Sequence, residues 1–225
     1  HYQTVPVLSY HKFSKTFSDH MTVREEDFEN QMRFLKNSGY RVISMDAFFD
    51  FLNFQGHIPE KSVVITIDDG WLSTYEIAYP ILRKYEYPAT LFIYTDLIKK
   101  SRKTLDWEII REMSRNGIDI ECHTKTHRNL SLRNRGESFR EYVASIEREL
   151  KESAKIIKRR VGKDVKFLAY PYGAANHLIT AFVRKSGYKG AFTVNRGSNP
   201  LFINNYRIRR SMIYGGFELA DFKKN

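Results

Sequence analysis

Short apolar runs recur along the chain at 5–10, 41–44, 62–67, 89–94, 118–122, 165–169 and 190–194, each of strand length and mostly apolar at consecutive positions. Continuous apolarity is what a strand buried on both faces requires, so these runs predict the strands of a parallel sheet. A final strand is predicted at 206–213. Between the runs the apolar positions change to three- and four-residue spacing, the signature of amphipathic helices. The first helix opens at Thr22, with Glu25 three residues on at capping-box spacing, carries Phe28, Met32 and Leu35 on one face, and stops at Gly39. The longest, 137–160, lines up Phe139, Tyr142, Val143, Ile146, Leu150, Ala154 and Ile157 as a core stripe. Others are predicted at 45–54, 73–85, 104–116 and 174–186. Strands alternating with helices from end to end predict an α/β fold, with enough units to close a barrel in preference to an open sheet.

No internal repeat or linker interrupts the alternation, so residues 1–225 read as one domain. One connection breaks the run of short loops: 123–136, about 14 residues without periodicity, directly follows a strand. Long loops of this kind are often functional, and sites in α/β folds form at the C-terminal ends of strands.

Composition adds exclusions. With 42% hydrophobic and 28% charged residues the chain is neither disordered nor fibrous. No stretch approaches the ~18 consecutive apolar residues of a membrane span. A single cysteine, Cys122, excludes an internal disulfide and a multi-cysteine zinc site. The net charge of +11 raises anionic partners, namely nucleic acid, an anionic membrane or an acidic wall polymer. The cations lack the aromatic interleaving or recognition helix of a nucleic-acid binder, so no nucleic-acid partner is expected.

Four predicted strand ends carry polar groups that could converge on one mouth: Tyr10-His11, Asp68-Asp69-Gly70, His123 with His127, and Tyr170-Pro171-Tyr172-Gly173. Two adjacent carboxylates leaving a buried strand point in different directions, so one can bind a metal while the other takes a proton. Taken alone, Asp68-Asp69-Gly70 also reads as a turn before a helix opened by Trp71. His123 and His127 stand four residues apart, which lets two imidazoles face one cation if the backbone is helical or curls back. Two histidines and a carboxylate form a common set for a divalent ion with open positions.

Thr66-Ile67-Asp68-Asp69-Gly70 and His123-Thr124-Lys125-Thr126-His127 resemble the first two motifs of the polysaccharide deacetylases of carbohydrate esterase family 4, T-F-D-D-G and H-S/T-x-x-H, in the same order. Ala169-Tyr170-Pro171-Tyr172-Gly173 is similar to the third motif, R-x-P-Y-G, without its arginine. The resemblance implies a distorted (β/α)7 barrel over nearly the whole chain. It assigns Asp69, His123 and His127 as metal ligands, Asp68 as general base and the Tyr172 backbone N–H as oxyanion donor. The family's last motif, L-x-H near the C-terminus, has no counterpart, because no histidine follows His177. A circularly permuted branch that deacetylates poly-β-1,6-N-acetylglucosamine carries that histidine near the N-terminus after an apolar strand, and the run from Val5 to His11 resembles it. His11 is thereby the candidate general acid. Arg207 and Arg209 are the candidates to replace the missing arginine beside Asp68.

The implied cofactor is one divalent metal ion, Zn²⁺ before Co²⁺ or Ni²⁺. Tyr10, Trp71 and Pro171, with Tyr170 and Tyr172, are candidates for a sugar or acetyl pocket; Cys122 and Trp107 read as packing, and His1, His20, His57 and His177 carry no assigned role. The expected partner is a polysaccharide, with association to an anionic membrane or wall surface through basic residues also open. No protein partner is readable from the sequence. The expected location is secreted, periplasmic or cell-surface attached. The resemblance implies metal-dependent hydrolysis of N-acetyl groups from a β-linked N-acetylglucosamine polysaccharide, poly-β-1,6-N-acetylglucosamine first; the alternatives are a deacetylase of chitin oligomers, peptidoglycan or another acetylated exopolysaccharide, and a silent carbohydrate-binding barrel, the last prompted by the missing arginine.

Overall fold

The computed structural model describes residues 3–224, so His1 lies outside the described residues. The chain begins with β1 (Thr4–Val5), β2 (Val7–Tyr10), β3 (Lys12–Ser14) and β4 (Thr22–Arg24), followed by α1 (Glu25–Asn37), β5 (Arg41–Val42), α2 (Met45–Leu52) and β6 (Ser62–Asp69). A π-helical turn over Thr74–Ala78 leads into α3 (Tyr79–Tyr85), then β7 (Ala89–Ile93), α4 (Trp107–Arg115), β8 (Ile118–Cys122) and α5 (Phe139–Val161). The remainder is β9 (Phe167–Ala169), α6 (His177–Lys185), β10 (Gly190–Phe192), β11 (Asn199–Pro200), β12 (Ser211–Met212) and α7 (Leu219–Phe222).

The main sheet runs β10-β9-β8-β7-β6-β2-β12 with parallel pairing throughout, and β5 pairs with the start of β6. The segment entering β12 curls the sheet back on itself. Thr193 N donates to Ile208 O and Ile208 N to Ala191 O, while Ser211 and Met212 pair with Leu8 and Ser9 of β2. The expected barrel is therefore present, distorted because its last strand is bonded to β10 at one level and to β2 at another.

Period-two alternation sorts the strand residues into two layers. Ile65, Ile67, Leu91 and Ile93 point outward into a core shared with Phe28 and Met32 of α1 and with Ile146 and Leu150 of α5. Val7, Val64, Phe92, Phe167 and Phe192 point inward, where they meet Met45, Phe48 and Phe49 of α2. Helix α2 thus plugs one end of the barrel with apolar side chains and leaves the opposite end, where the strands finish, for polar groups.

Two expectations at the helices fail for physical reasons. Thr22 does not cap α1; its backbone pairs with Lys12 in the β3–β4 ladder, and the helix begins at Glu25 behind Arg24, whose side chain makes no capping bond. The capping box that does form belongs to Ser138 and Glu141 at the start of α5. Phe139, assigned to the α5 stripe, is exposed. The buried stripe instead includes three polar residues, Ser145, Glu149 and Ser153, beside Tyr142, Ile146, Leu150 and Ile157.

Glu121 of β8 is buried and accepts bonds from the N–H groups of Lys166 (2.8 Å) and Phe167 (2.9 Å). Burial pushes its carboxyl up to about 8, aided by Asp119; the two N–H bonds and Lys166 pull the other way. A folded value above the unfolded one means that the stabilising contribution is full below the unfolded value and is lost as pH rises through about 8. Glu121→Gln keeps an acceptor without the charge. Its melting temperature is expected to equal that of the parent at pH 5 and to exceed it by roughly 5 °C or more at pH 9, measured by thermal denaturation.

Candidate active site

The end of β6 breaks the alternation. Thr66 and Asp68 point into the barrel, and Asp69 would follow Ile67 outward if the strand stayed extended. Asp69 instead adopts φ 79°, a left-handed conformation that a non-glycine residue rarely takes, and this turns its carboxylate toward the same mouth as Asp68. Gly70 continues the bend at φ 113°, where an added Cβ would lie 2.8 Å from Ile98.

Asp68 is buried and held by the guanidinium of Arg210, which donates to both carboxylate oxygens at 2.7 Å. Arg210 is itself 0% exposed. Its remaining donors reach Thr66 Oγ1 (3.2 Å) and Thr193 O (3.0 Å), so the fork is fixed from both sides. Burial pushes the Asp68 carboxyl up, but Arg210, His123 and His11 outweigh it and hold it at about 2. The arginine absent from the third motif is thus supplied from the segment entering β12. Neither expected candidate fills the role: Arg207 and Arg209 are both exposed, and Arg207 donates to Ala175 O.

His123 and His127 sit on a loop that curls back rather than on a helix. Thr124 (φ 71°) and His127 (φ 63°) both take left-handed backbone conformations. The curl is secured by Glu149 of α5, whose carboxylate accepts from Lys125 N (2.9 Å), Thr126 N (2.8 Å) and Thr126 Oγ1 (2.6 Å). His123 Nδ1 bonds Ala169 O at 2.7 Å, which fixes the proton on Nδ1 and leaves Nε2 with its lone pair facing the mouth. The His127 ring packs between Tyr94 and Tyr172. Burial, reinforced by His123, lowers His127 to about 4, so it stays neutral.

The Nε2 atoms of His123 and His127 stand 3.1 Å apart, and Asp69 Oδ1 lies 3.7 and 3.6 Å from them. Ligands at roughly 2.0–2.2 Å in tetrahedral array are separated by about 3.4 Å, so this triangle fits a tetrahedral divalent ion with one position free. Among the described residues, Asp69, His123 and His127 form the cluster with metal-ligand geometry. The other oxygen of Asp69, Oδ2, accepts from Trp71 Nε1 at 2.9 Å. Trp71→Phe removes that bond and is expected to weaken Zn²⁺ binding about tenfold or more with little change in fold, measured by competition with a chromogenic chelator.

His11 follows β2 and places Nε2 3.9 Å from Asp68 Oδ2. Burial lowers its proton affinity, Asp68 and Asp69 raise it, and Arg210 and His123 lower it, with a net shift downward. Tyr172 carries φ 59° and is 67% exposed at the rim, and Gly173 beside it has no room for a Cβ, which would lie 2.4 Å from Val194.

The structure therefore brings His11, Asp68, Asp69, His123 and His127 to one mouth, and separates others from it. Tyr10 is buried on the outer face of β2, donates to Gln31 at 2.7 Å and packs on Phe13 and Phe28; it belongs to the core rather than to a pocket. Tyr170 is likewise buried and donates to Tyr206 O. Pro171 is buried behind Tyr172. Cys122 is buried against Ser153, with its thiol pushed up to about 11, chiefly by burial, which leaves it inert beside His123. Sequence reasoning missed Arg210, Glu149 and the second role of Trp71.

A model of the polysaccharide deacetylase family matches residues 55–191. The poly-β-1,6-N-acetyl-D-glucosamine N-deacetylase of Staphylococcus aureus strain MRSA252 is 32% identical over 197 residues, covering 85% of this chain and 68% of that protein. Two solved structures share the fold: the Streptococcus pyogenes deacetylase PplD in complex with acetate (TM-score 0.88, 23% identity, 100% of this chain and 98% of that one) and IcaB from Ammonifex degensii (0.86, 22%, 99% and 95%). The chain belongs to the polysaccharide deacetylase family, carbohydrate esterase family 4, and is a hydrolase that removes N-acetyl groups from a polysaccharide.

Proposed function

We propose that the chain hydrolyses the N-acetyl groups of a β-linked N-acetylglucosamine polymer, with poly-β-1,6-N-acetylglucosamine as the preferred backbone, in a reaction that requires one divalent metal. The observation that carries this reading is the joint placement of His11, from the N-terminal strand, and the Asp68–Arg210 pair around the Asp69, His123 and His127 triangle. The relative named for this polymer supports the choice of backbone. The enzyme is proposed to act outside the cytoplasm.

The residues divide the work. A Zn²⁺, Co²⁺ or Ni²⁺ ion held by Asp69, His123 and His127 would polarise the acetyl carbonyl and acidify a water. Asp68, ionised at any pH above about 2, accepts the water proton as the oxygen attacks the amide carbon. The Tyr172 N–H is assigned, by resemblance to the family's third motif, as donor to the negative charge that develops on the carbonyl oxygen. His11 donates a proton to the departing nitrogen as the C–N bond breaks, leaving acetate and an amine.

Burial lowers the proton affinity of His11 against the opposing pull of Asp68 and Asp69. Asp68 Oδ2 stands 3.9 Å from His11 Nε2, which puts the proton taken from water within reach of His11. The account is tested by acetate release from β-1,6- and β-1,4-linked oligomers of equal length. Release on the β-1,6 oligomer is expected, falling roughly 100-fold in His11→Ala through kcat rather than KM. Undiminished release in that variant would remove His11 from the chemistry, and release confined to the β-1,4 oligomer would refute the backbone.

A further inference from the structure

A groove of about 440 Å³ opens beside the mouth, and Trp71 forms the wall between them. One side of that wall is catalytic: the indole N–H holds Asp69. The other faces the groove, where Lys12 Nζ sits 4.2 Å from the centre of the ring. Arg102 and Lys103 line the opposite edge, on a loop fastened to the same turn by Leu72 N to Lys103 O (2.9 Å) and Leu105 N to Gly70 O (3.0 Å). Their position relative to the mouth is therefore fixed by backbone rather than by side-chain chance.

The three cations face the groove without an ion pair among the described residues. Two carboxylates also line it, Asp19, which accepts from Met21 N (2.8 Å) and interacts electrostatically with Lys12, and exposed Glu76, so the three cations leave an excess of positive charge at the lining. Exposed Lys99 and Lys100 lie on the same loop. A neutral glucan needs none of these charges, and a deacetylated unit, bearing an ammonium, is repelled by them.

We propose that this groove binds a carboxylate or phosphate carried on the glycan beside the N-acetylglucosamine unit being hydrolysed, so that the preferred substrate is an acid-substituted polymer. The proposal rests on the deacetylase reading above and extends it from the backbone to its substituents. An acidic group in the groove would meet Lys12, Arg102 and Lys103 while the adjoining sugar passes Trp71 into the mouth.

The test uses three N-acetylglucosamine oligomers of equal length: one neutral, one with a carboxylate on the neighbouring sugar, and one with a phosphate ester there. In wild type, kcat/KM for an acidic oligomer is expected to exceed that for the neutral one by roughly tenfold at low salt, and the ratio to shrink as salt is added. In Lys12→Gln/Arg102→Gln/Lys103→Gln the ratio falls to near one. A preference confined to the carboxylate or the phosphate arm identifies the group. A ratio near one in wild type, or a preference that survives in the variant, overturns the proposal. So does pelleting of wild type, but not of the variant, with phosphatidylcholine vesicles containing phosphatidylglycerol when the oligomer ratio is one, since the cations would then serve a membrane. Failure of wild type to deacetylate any of the three oligomers would instead strike at the deacetylase reading, and this proposal would fall with it.

Discussion

Arg210→Leu is expected to lose both stability and activity, for one reason. The side chain is fully buried and its two bonds to Asp68 are the nearest positive charge that carboxylate has. Removing it strands a buried anion, and breaking a buried pair in this way costs about 3–5 kcal/mol. Asp68 sits at about 2, below the ordinary carboxylate value of 3.8. Its contribution to stability is therefore present above the unfolded value and lost as pH falls through about 2. Without Arg210 burial is no longer outweighed, so the Asp68 value rises and the acid limb of the kcat/KM profile moves to higher pH. Urea denaturation and a pH–rate profile read the two effects. Arg210→Leu/Asp68→Asn, which removes both charges, should recover much of the stability and none of the activity; recovery of both would dismiss the pair from the mechanism.

Asp68→Asn alone should reduce kcat by roughly 10²- to 10⁴-fold, the range for loss of a positioned general base. Metal content should stay at the parental level, because Asp69, His123 and His127 are untouched. The variant leaves Arg210 buried without its anion, so the assay belongs on protein shown to be folded by circular dichroism. Equal loss of bound metal and activity would mean that Asp68 is a ligand and that the division of labour between the two aspartates is wrong.

Much of the site was legible because its chemistry is local in sequence. Asp68-Asp69 and His123 with His127 each sit within one strand end or loop, and the apolar run before each places it at the same end of a parallel sheet. What escaped was set by tertiary contacts. The alternation in the last strand could have revealed Arg210: with Ile208 packed inward, Arg210 must follow it and Arg207 and Arg209 must face solvent. The turn of Asp69 into the mouth had no such signal, since it depends on a left-handed φ. Tyr10 misled because a large aromatic at a strand end looks like a pocket wall until the helix covering it, α1, is in place. Glu149 was hidden in plain view, a charged residue on the buried stripe of α5 whose partner is the loop carrying both histidines.

The same kind of tertiary contact answers the competing reading of a silent binding barrel. That reading was prompted by an arginine missing from its usual motif, and Arg210 now stands against Asp68 from a different part of the chain. With Arg210 paired to Asp68 the motif's missing arginine no longer favours a silent barrel, and the family match favours the hydrolase.

The most direct test of metal-dependent N-deacetylation is acetate release from the β-1,6-linked oligomer by one preparation in three states: as purified, stripped by chelator, and restored with Zn²⁺ or Co²⁺. Release that disappears on stripping and returns on restoration, at one ion per chain, is the predicted result. Release that persists at full rate in metal-free protein would contradict the account at its centre.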